Sequence, residues 1–153
     1  MNKEELITVK GKVKLTYRDI ITGKVRIEEY DNLVTTVGRK MIADNLTNTS
    51  PDNTMRINYV ALGTDATAPA NGDTTLGLET FRNSIASQTN ADNVSYFTGF
   101  FGATEVTGAF KEAGLFADGG AGADTGILFS HVAINSTKSN TETLTIDWTI
   151  TIS

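Results

Sequence analysis

The chain has no cysteine, one histidine, one tryptophan and two prolines in 153 residues. Without cysteine it can form no disulfide, no zinc–thiolate site and no thiol nucleophile. With one histidine, any Ser-His-Asp arrangement must be built on His131. No run of about 20 apolar residues occurs, so no membrane-spanning helix is expected. Met1-Asn2-Lys3-Glu4-Glu5 mixes both signs of charge and no apolar run follows it, so no signal peptide is read. The chain is expected to be soluble and made in a reducing cytoplasm. Positive charge is also scarce. Thirteen Lys and Arg face 18 Asp and Glu, a net charge of -5, which argues against nucleic acid as the main partner.

The charge that is present is polarised along the chain. Residues 1–42 hold nine of the 13 basic side chains and six of the 18 acidic ones, net +3; the remainder sums to -8. The basic end has strand periodicity. Val9, Val13, Leu15 and Tyr17 take one parity, and Lys10, Lys12, Lys14, Thr16 and Arg18 the other. Successive side chains of a strand point to opposite faces, so this is a half-buried strand with a basic outer face. Asp19 to Gly23 reads as a turn, and Val25, Ile27 and Tyr30 as the returning strand of a hairpin.

One helix is predicted, over 35–47. Thr35 or Thr36 can cap it, and Val37, Met41, Ile42 and Leu46 recur near helical spacing. Further strands are predicted at Ile57–Leu62, Arg82–Gln88, Val94–Ala103, Gly108–Phe116, Ile127–Ile134 and Leu144–Ile152. The last is the clearest: Leu144, Ile146, Trp148, Ile150 and Ile152 alternate with Thr143, Thr145, Asp147, Thr149 and Thr151. Ile127–Ile134, apolar on both faces, reads as a central strand. The pattern predicts a single all-β domain over 1–153, a sandwich or jelly-roll-like body of about eight strands with an N-terminal hairpin and one short helix. Its parts are an N-terminal arm and hairpin (1–31), the helix (35–47) and the β body (57–153).

The chemistry-bearing residues read as follows. His131 shares a parity with Ile127, Phe129 and Ala133, which favours a core or interface histidine with one nitrogen satisfied. The glycine-rich stretch 119–126 lacks the phosphate-loop register and reads as a mobile loop, solvated or at an interface. Asp65, Asn71 and Asp73 lie in a long turn-rich loop, 64–77, of a length that is often functional. They could offer oxygens to calcium, but EF-hand spacing is absent. Glu105, Glu112, Asp118 and Asp124 could supply a carboxylate pair, yet no spacing selects one. No catalytic, cofactor or metal residue is assigned. The residues assigned to partner binding are Lys10, Lys12, Lys14 and Arg18, as a cationic face for an acidic surface, and Phe101. The simpler reading of the lysines is a solvated face pairing with Glu28 or Asp31. Tyr96, Phe97, Phe100 and Phe101 fall on both faces of one strand; one face suits the core and the other an interface.

Four segments together resemble a known group. They are NLVTTVGRKMIADNL (32–46), INYVALGTDATAPANGDTTLGLE (57–79), FKEAGLFAD (110–118) and LTIDWTITI (144–152). In this order they resemble small phage structural proteins described as tail-fibre-like, baseplate-associated or capsid-decorating. The resemblance implies a virion location, a cyclic homo-oligomer expected to be a trimer, and contact with the major capsid protein or tail proteins. The chain carries no collagen-like repeat, coiled coil or separate tip. That shifts the expectation toward a compact capsid decoration (cement) protein, with a tail fibre or baseplate component contacting the host surface as the alternative. Neither reading involves an enzyme, a cofactor, nucleic acid or a membrane. The segment Asn2–Ile7 and the hairpin are the expected contacts, with loops 64–77 and 118–126 next.

Overall fold

The computed structural model describes residues 7–47 and 52–153; most of the segment Asn2–Ile7 lies outside them. Nine strands and one helix follow one another: β1 (Val9–Asp19), β2 (Val25–Val34), α1 (Thr36–Thr47), β3 (Ile57–Gly63), β4 (Glu79–Ser84), β5 (Ser87–Ala91), β6 (Val94–Phe101), β7 (Gly108–Ala117), β8 (Ile127–Lys138) and β9 (Glu142–Ile152). All pairings are antiparallel, in the order β4-β3-β7-β8-β2-β1-β9-β6-β5. The sheet curls into two layers. One is β5-β6-β9-β1-β2 and the other β2-β8-β7-β3-β4.

Two strands turn the corners. β2 pairs with β1 from Val25 to Asn32, then Leu33 and Val34 pair with β8. At the other corner, Ser84 of β4 pairs with Tyr59, and three residues later Ser87 of β5 pairs with Thr98 in the opposite layer. The step between them, Ile85-Ala86, donates one amide to Asn58 and the next to Thr98, one to each layer. Strands that switch sheets at bends are a known way to build such corners. This corrects the single strand read over Arg82–Gln88. The sequence Ser-Gln-Thr-Asn-Ala of β5 carries no apolar alternation, and all five residues are exposed, so the edge strand has no periodic signal.

The core lies between the layers. Val13, Leu15 and Tyr17 of β1 and Leu144, Ile146, Trp148 and Ile150 of β9 face Val60, Leu62, Leu115, Val132 and Ile134. Burying each large apolar side chain stabilises the fold by roughly 1.5–3 kcal/mol. The β1 and β9 patterns fold as read because every second residue of each meets this interior. The β1–β2 hairpin closes on Asp19, whose Oδ1 accepts the amides of Ile21 and Thr22 at 2.8 and 2.9 Å.

Helix α1 is capped by Thr35, whose Oγ1 accepts the Gly38 amide at 3.0 Å. It packs on β8. A Cβ at Gly38 would lie 2.5 Å from the carbonyl oxygen of Phe129, so only glycine allows this approach. Met41 is buried, whereas Leu46, read as part of the apolar stripe, is exposed. Among the described residues no helix is long and apolar enough to cross a membrane.

A β-bulge corrects the surroundings read for His131. Phe116 pairs with Leu128 and Leu115 with Ser130, leaving Phe129 as the extra residue. The bulge reverses the pleat. His131 therefore faces away from the main core, opposite Gly114, while Phe129 packs into that core.

Candidate functional site

The two outer faces of the sandwich differ. The outer face of the β3–β7–β8 layer is covered by the chain's own loops, and buried charged side chains hold them. Glu112 of β7 is the hub of the first anchor. Its carboxylate accepts the amides of Gly77 (2.9 Å), Leu78 (2.7 Å) and Asp65 (3.3 Å). His131 of β8 bonds Glu112 through Nε2 at 2.9 Å and Asp73 through Nδ1 at 2.8 Å. The side chains of His131 and Glu112 are 4% and 1% exposed. Asp73 also accepts the Ala70 amide, and the Asn71 carbonyl accepts the amide of Thr36 at the start of α1. Loop 64–78 is thus strapped across the face, with Leu76 pressed on Ala61, Phe116 and Leu128 in a second, small apolar cluster.

Arg82 of β4 is the second anchor. It donates to Glu79 through Nε and Nη2, at 2.5 and 2.7 Å. Its Nη1 reaches the carbonyls of Gly120 (3.1 Å) and Thr125 (2.9 Å). The guanidinium stacks 4.5 Å from the Phe116 ring centroid and 5.4 Å from that of Tyr59. Asn58 adds bonds to both the amide and the carbonyl of Gly119. Gly126 has a φ of +87°, and a Cβ there would lie 2.5 Å from the Ala117 carbonyl. The glycine-rich stretch, read as a mobile loop, is exposed over 120–126 but fastened by five side-chain-to-backbone bonds of Arg82, Asn58 and Glu79.

These anchors absorb most of the residues weighed for chemistry. Asp65 binds the amide and hydroxyl of Thr67, each at 2.8 Å; these bonds hold its carboxyl below the usual carboxylate range, the Thr67 amide acting most. Asp118 receives the amide and hydroxyl of Thr54. Glu105 receives the Gly102 amide at 2.5 Å. Among the described residues no group of three His, Asp or Glu side chains is arranged to hold a metal ion. His131 has both ring nitrogens on carboxylates, not the one satisfied nitrogen expected. Neither ring nitrogen is paired with a Ser, Thr or Tyr hydroxyl that it could activate.

The outer face of the β5-β6-β9-β1-β2 layer is exposed instead. Two rows of side chains cross it: Asp31, Lys12, Thr149 and Tyr96, then Glu29, Lys14, Asp147 and Thr98. They line a shallow groove of about 640 Å³. Lys14 Nζ sits 4.0 Å from Asp147, and Thr98 donates to Asp147 at 2.9 Å. Glu28, expected to pair with a lysine, has the opposite parity and binds Arg26 (2.9 Å) and Ser136 (2.5 Å). Lys10 and Arg18 extend the cationic side of this face, and both are exposed. Val25, Ile27, Tyr96 and Phe100 are its exposed apolar members. Phe101 is not among them. It is fully buried, with its ring centroid 5.9 Å from that of Phe81. The alternation of β6 turns Phe97, Gly99 and Phe101 inward and Tyr96, Thr98 and Phe100 outward, so Phe100 holds the surface position assigned to Phe101.

No family model, no curated protein and no solved structure matches the chain.

Proposed function

We propose that this chain is a structural component of a phage particle, a capsid decoration protein that assembles as a cyclic homo-oligomer, a trimer, on the major capsid protein. The observation that carries this reading is the asymmetry of the sandwich. One outer face is closed by the chain's own loops, whereas the other is open and presents Lys10, Lys12, Lys14 and Arg18 beside Val25, Ile27, Tyr96 and Phe100. The four cations on this face exceed its three carboxylates, Glu29, Asp31 and Asp147, by one, and exposed apolar groups among them suit a protein surface of acidic character. Repetition of a weak contact around a symmetric oligomer gives a stable attachment without a deep pocket. The resemblance of segments 32–46, 57–79, 110–118 and 144–152 to phage structural proteins points the same way.

A second reading, a tail fibre or baseplate component that contacts the host surface, is favoured by one feature. Tyr96 is 41% exposed and lines the groove with Glu29, Asp31 and Asp147, an aromatic beside carboxylates of the kind that binds sugars. The copy number per virion, measured by quantitative mass spectrometry, separates the two. A number near that of the major capsid protein supports decoration. A few per cent of it supports a tail position. Absence from purified virions rejects both.

A further inference from the structure

We propose that loop 64–78 is a proton-operated strap, latched by His131 between Asp73 and Glu112. The argument is a count of protons. The ring faces a carboxylate oxygen at both nitrogens, Asp73 at 2.8 Å and Glu112 at 2.9 Å. An ionised carboxylate only accepts. Two such contacts need two protons, and a neutral imidazole supplies one. The cluster therefore makes both bonds only while it holds an extra proton, on the ring or shared with a carboxylate. When that proton leaves, one contact sets a lone pair against a carboxylate on a ring that is only 4% exposed, where an unpaired polar contact is costly.

The other charged groups around the ring do not replace it. Glu112 from β7, and Asp73 and Asp65 from the loop, are all acidic, and the Asp65 carboxylate is already held by Thr67. The facing β2 residue, Leu33, is apolar. Among the described residues no Lys or Arg nitrogen lies within 4.0 Å of Glu112 or Asp73. The two ends of the strap differ. At Glu112, three backbone amides share the hold on the carboxylate. At Asp73, which is 28% exposed, the ring is the tie between the loop and β8. Loss of the proton thus frees the 70–75 part of the loop first. It also relaxes the cover that Leu76 places over Phe116 and Leu128 and the Asn71–Thr36 bond to the start of α1. This device is independent of where the protein assembles.

Because His131 is the sole histidine, its ring signals in an NMR titration need no assignment. Hydrogen exchange of the Ala70 and Asp73 amides, followed on the same full-length chain across pH after correction for intrinsic exchange, reads the strap. The expected result is that their protection falls about tenfold or more, the scale of one charge-assisted bond. The midpoint coincides with deprotonation of the His131 cluster, while amides of β1 and β9 hold their protection. In His131→Gln this pH response disappears. A ring that does not titrate over the stable range of the fold, strap protection that stays flat through the titration, or a midpoint elsewhere overturns the proposal. Should His131→Gln not fold, Asp73→Asn, at a half-exposed position, serves in its place. It must also lose the response, and retention of it overturns the latch.

Discussion

Glu79 and Arg82 stand three residues apart on β4, a spacing that puts side chains on opposite faces of a regular strand, yet they form a two-nitrogen ion pair on one face. The register explains it. Gly63 pairs with Glu79 and Leu62 with Phe81, leaving Thr80 as a bulge that reverses the pleat between them. With side chains 3% and 1% exposed, neither charge can exchange its partner for water. Arg82→Ala should destabilise the protein by about 3–5 kcal/mol, since it leaves Glu79 buried and unpaired. Urea unfolding measures the loss. Increased exchange of the Gly120 amide at low denaturant should accompany it, because the loop loses its anchor.

The buried tyrosine gives an alkaline limit. Burial pushes the Tyr17 hydroxyl up from 10.0 to about 12, with the Ser136 bond opposing and Glu28 adding to the rise. A folded-state value above the unfolded one means that folding favours the neutral phenol. That contribution is complete below pH 10 and is lost as pH rises from 10 to about 12. At 1.36 kcal/mol per unit it amounts to about 2–3 kcal/mol. Phenolate absorbance should show one of the four tyrosines ionising last. Tyr17→Phe should remove that phase and flatten the fall in stability over the same range.

Phe100 and Phe101 should respond oppositely to the same change. Phe101 is fully buried and Phe100 is 46% exposed. Phe101→Asp places a charge in the core and should abolish the folded near-UV signature, so it cannot report on an interface. Phe100→Asp should leave unfolding within about 0.5 kcal/mol of the native chain. If the open face is the attachment surface, Phe100→Asp should also weaken binding to particles.

Gly38→Ala sets helix propensity against packing. In an exposed helix the change gains about 1 kcal/mol. Here the added methyl meets the backbone of Phe129 at 2.5 Å, which cannot rotate away. Net destabilisation of about 1–3 kcal/mol is expected from thermal unfolding, the usual cost of overpacking. A stabilised variant would show that α1 can shift along β8.

Neutralisation of the two lysines in these rows tests the open face without touching the core. Lys12 and Lys14 are exposed, and among the described residues the one ion pair between them and a carboxylate is Lys14–Asp147 at 4.0 Å. Lys12→Gln with Lys14→Gln, which puts no like charge opposite Asp31, Glu29 or Asp147, should therefore change stability by less than about 1 kcal/mol. Co-sedimentation with particles should fall, and the remaining binding, which still has Lys10 and Arg18, should depend less on salt. Unchanged binding would remove the electrostatic contribution from the proposed attachment.

Strands whose pleat meets a single interior could be read from residue order alone. In β1 and β9 alternate residues face the core, so period two was enough to identify Val13, Leu15, Tyr17, Leu144, Ile146, Trp148 and Ile150 as inward and the lysines as outward. A threonine cap at 35 or 36 and the central place of β8 were legible for the same local reasons, and the Gly38 amide bond selects Thr35. Which strands share a layer, where β4 hands over to β5, and what the buried charges do depend on how the two layers pack. Two bulges, at Thr80 and Phe129, reverse parity within their strands, so alternation misassigns His131 and cannot join Glu79 to Arg82. The ties from His131 to Asp73 and from Arg82 to Thr125 span 58 and 43 residues. Such contacts exist once two layers have packed, and a periodicity confined to one strand carries no record of them.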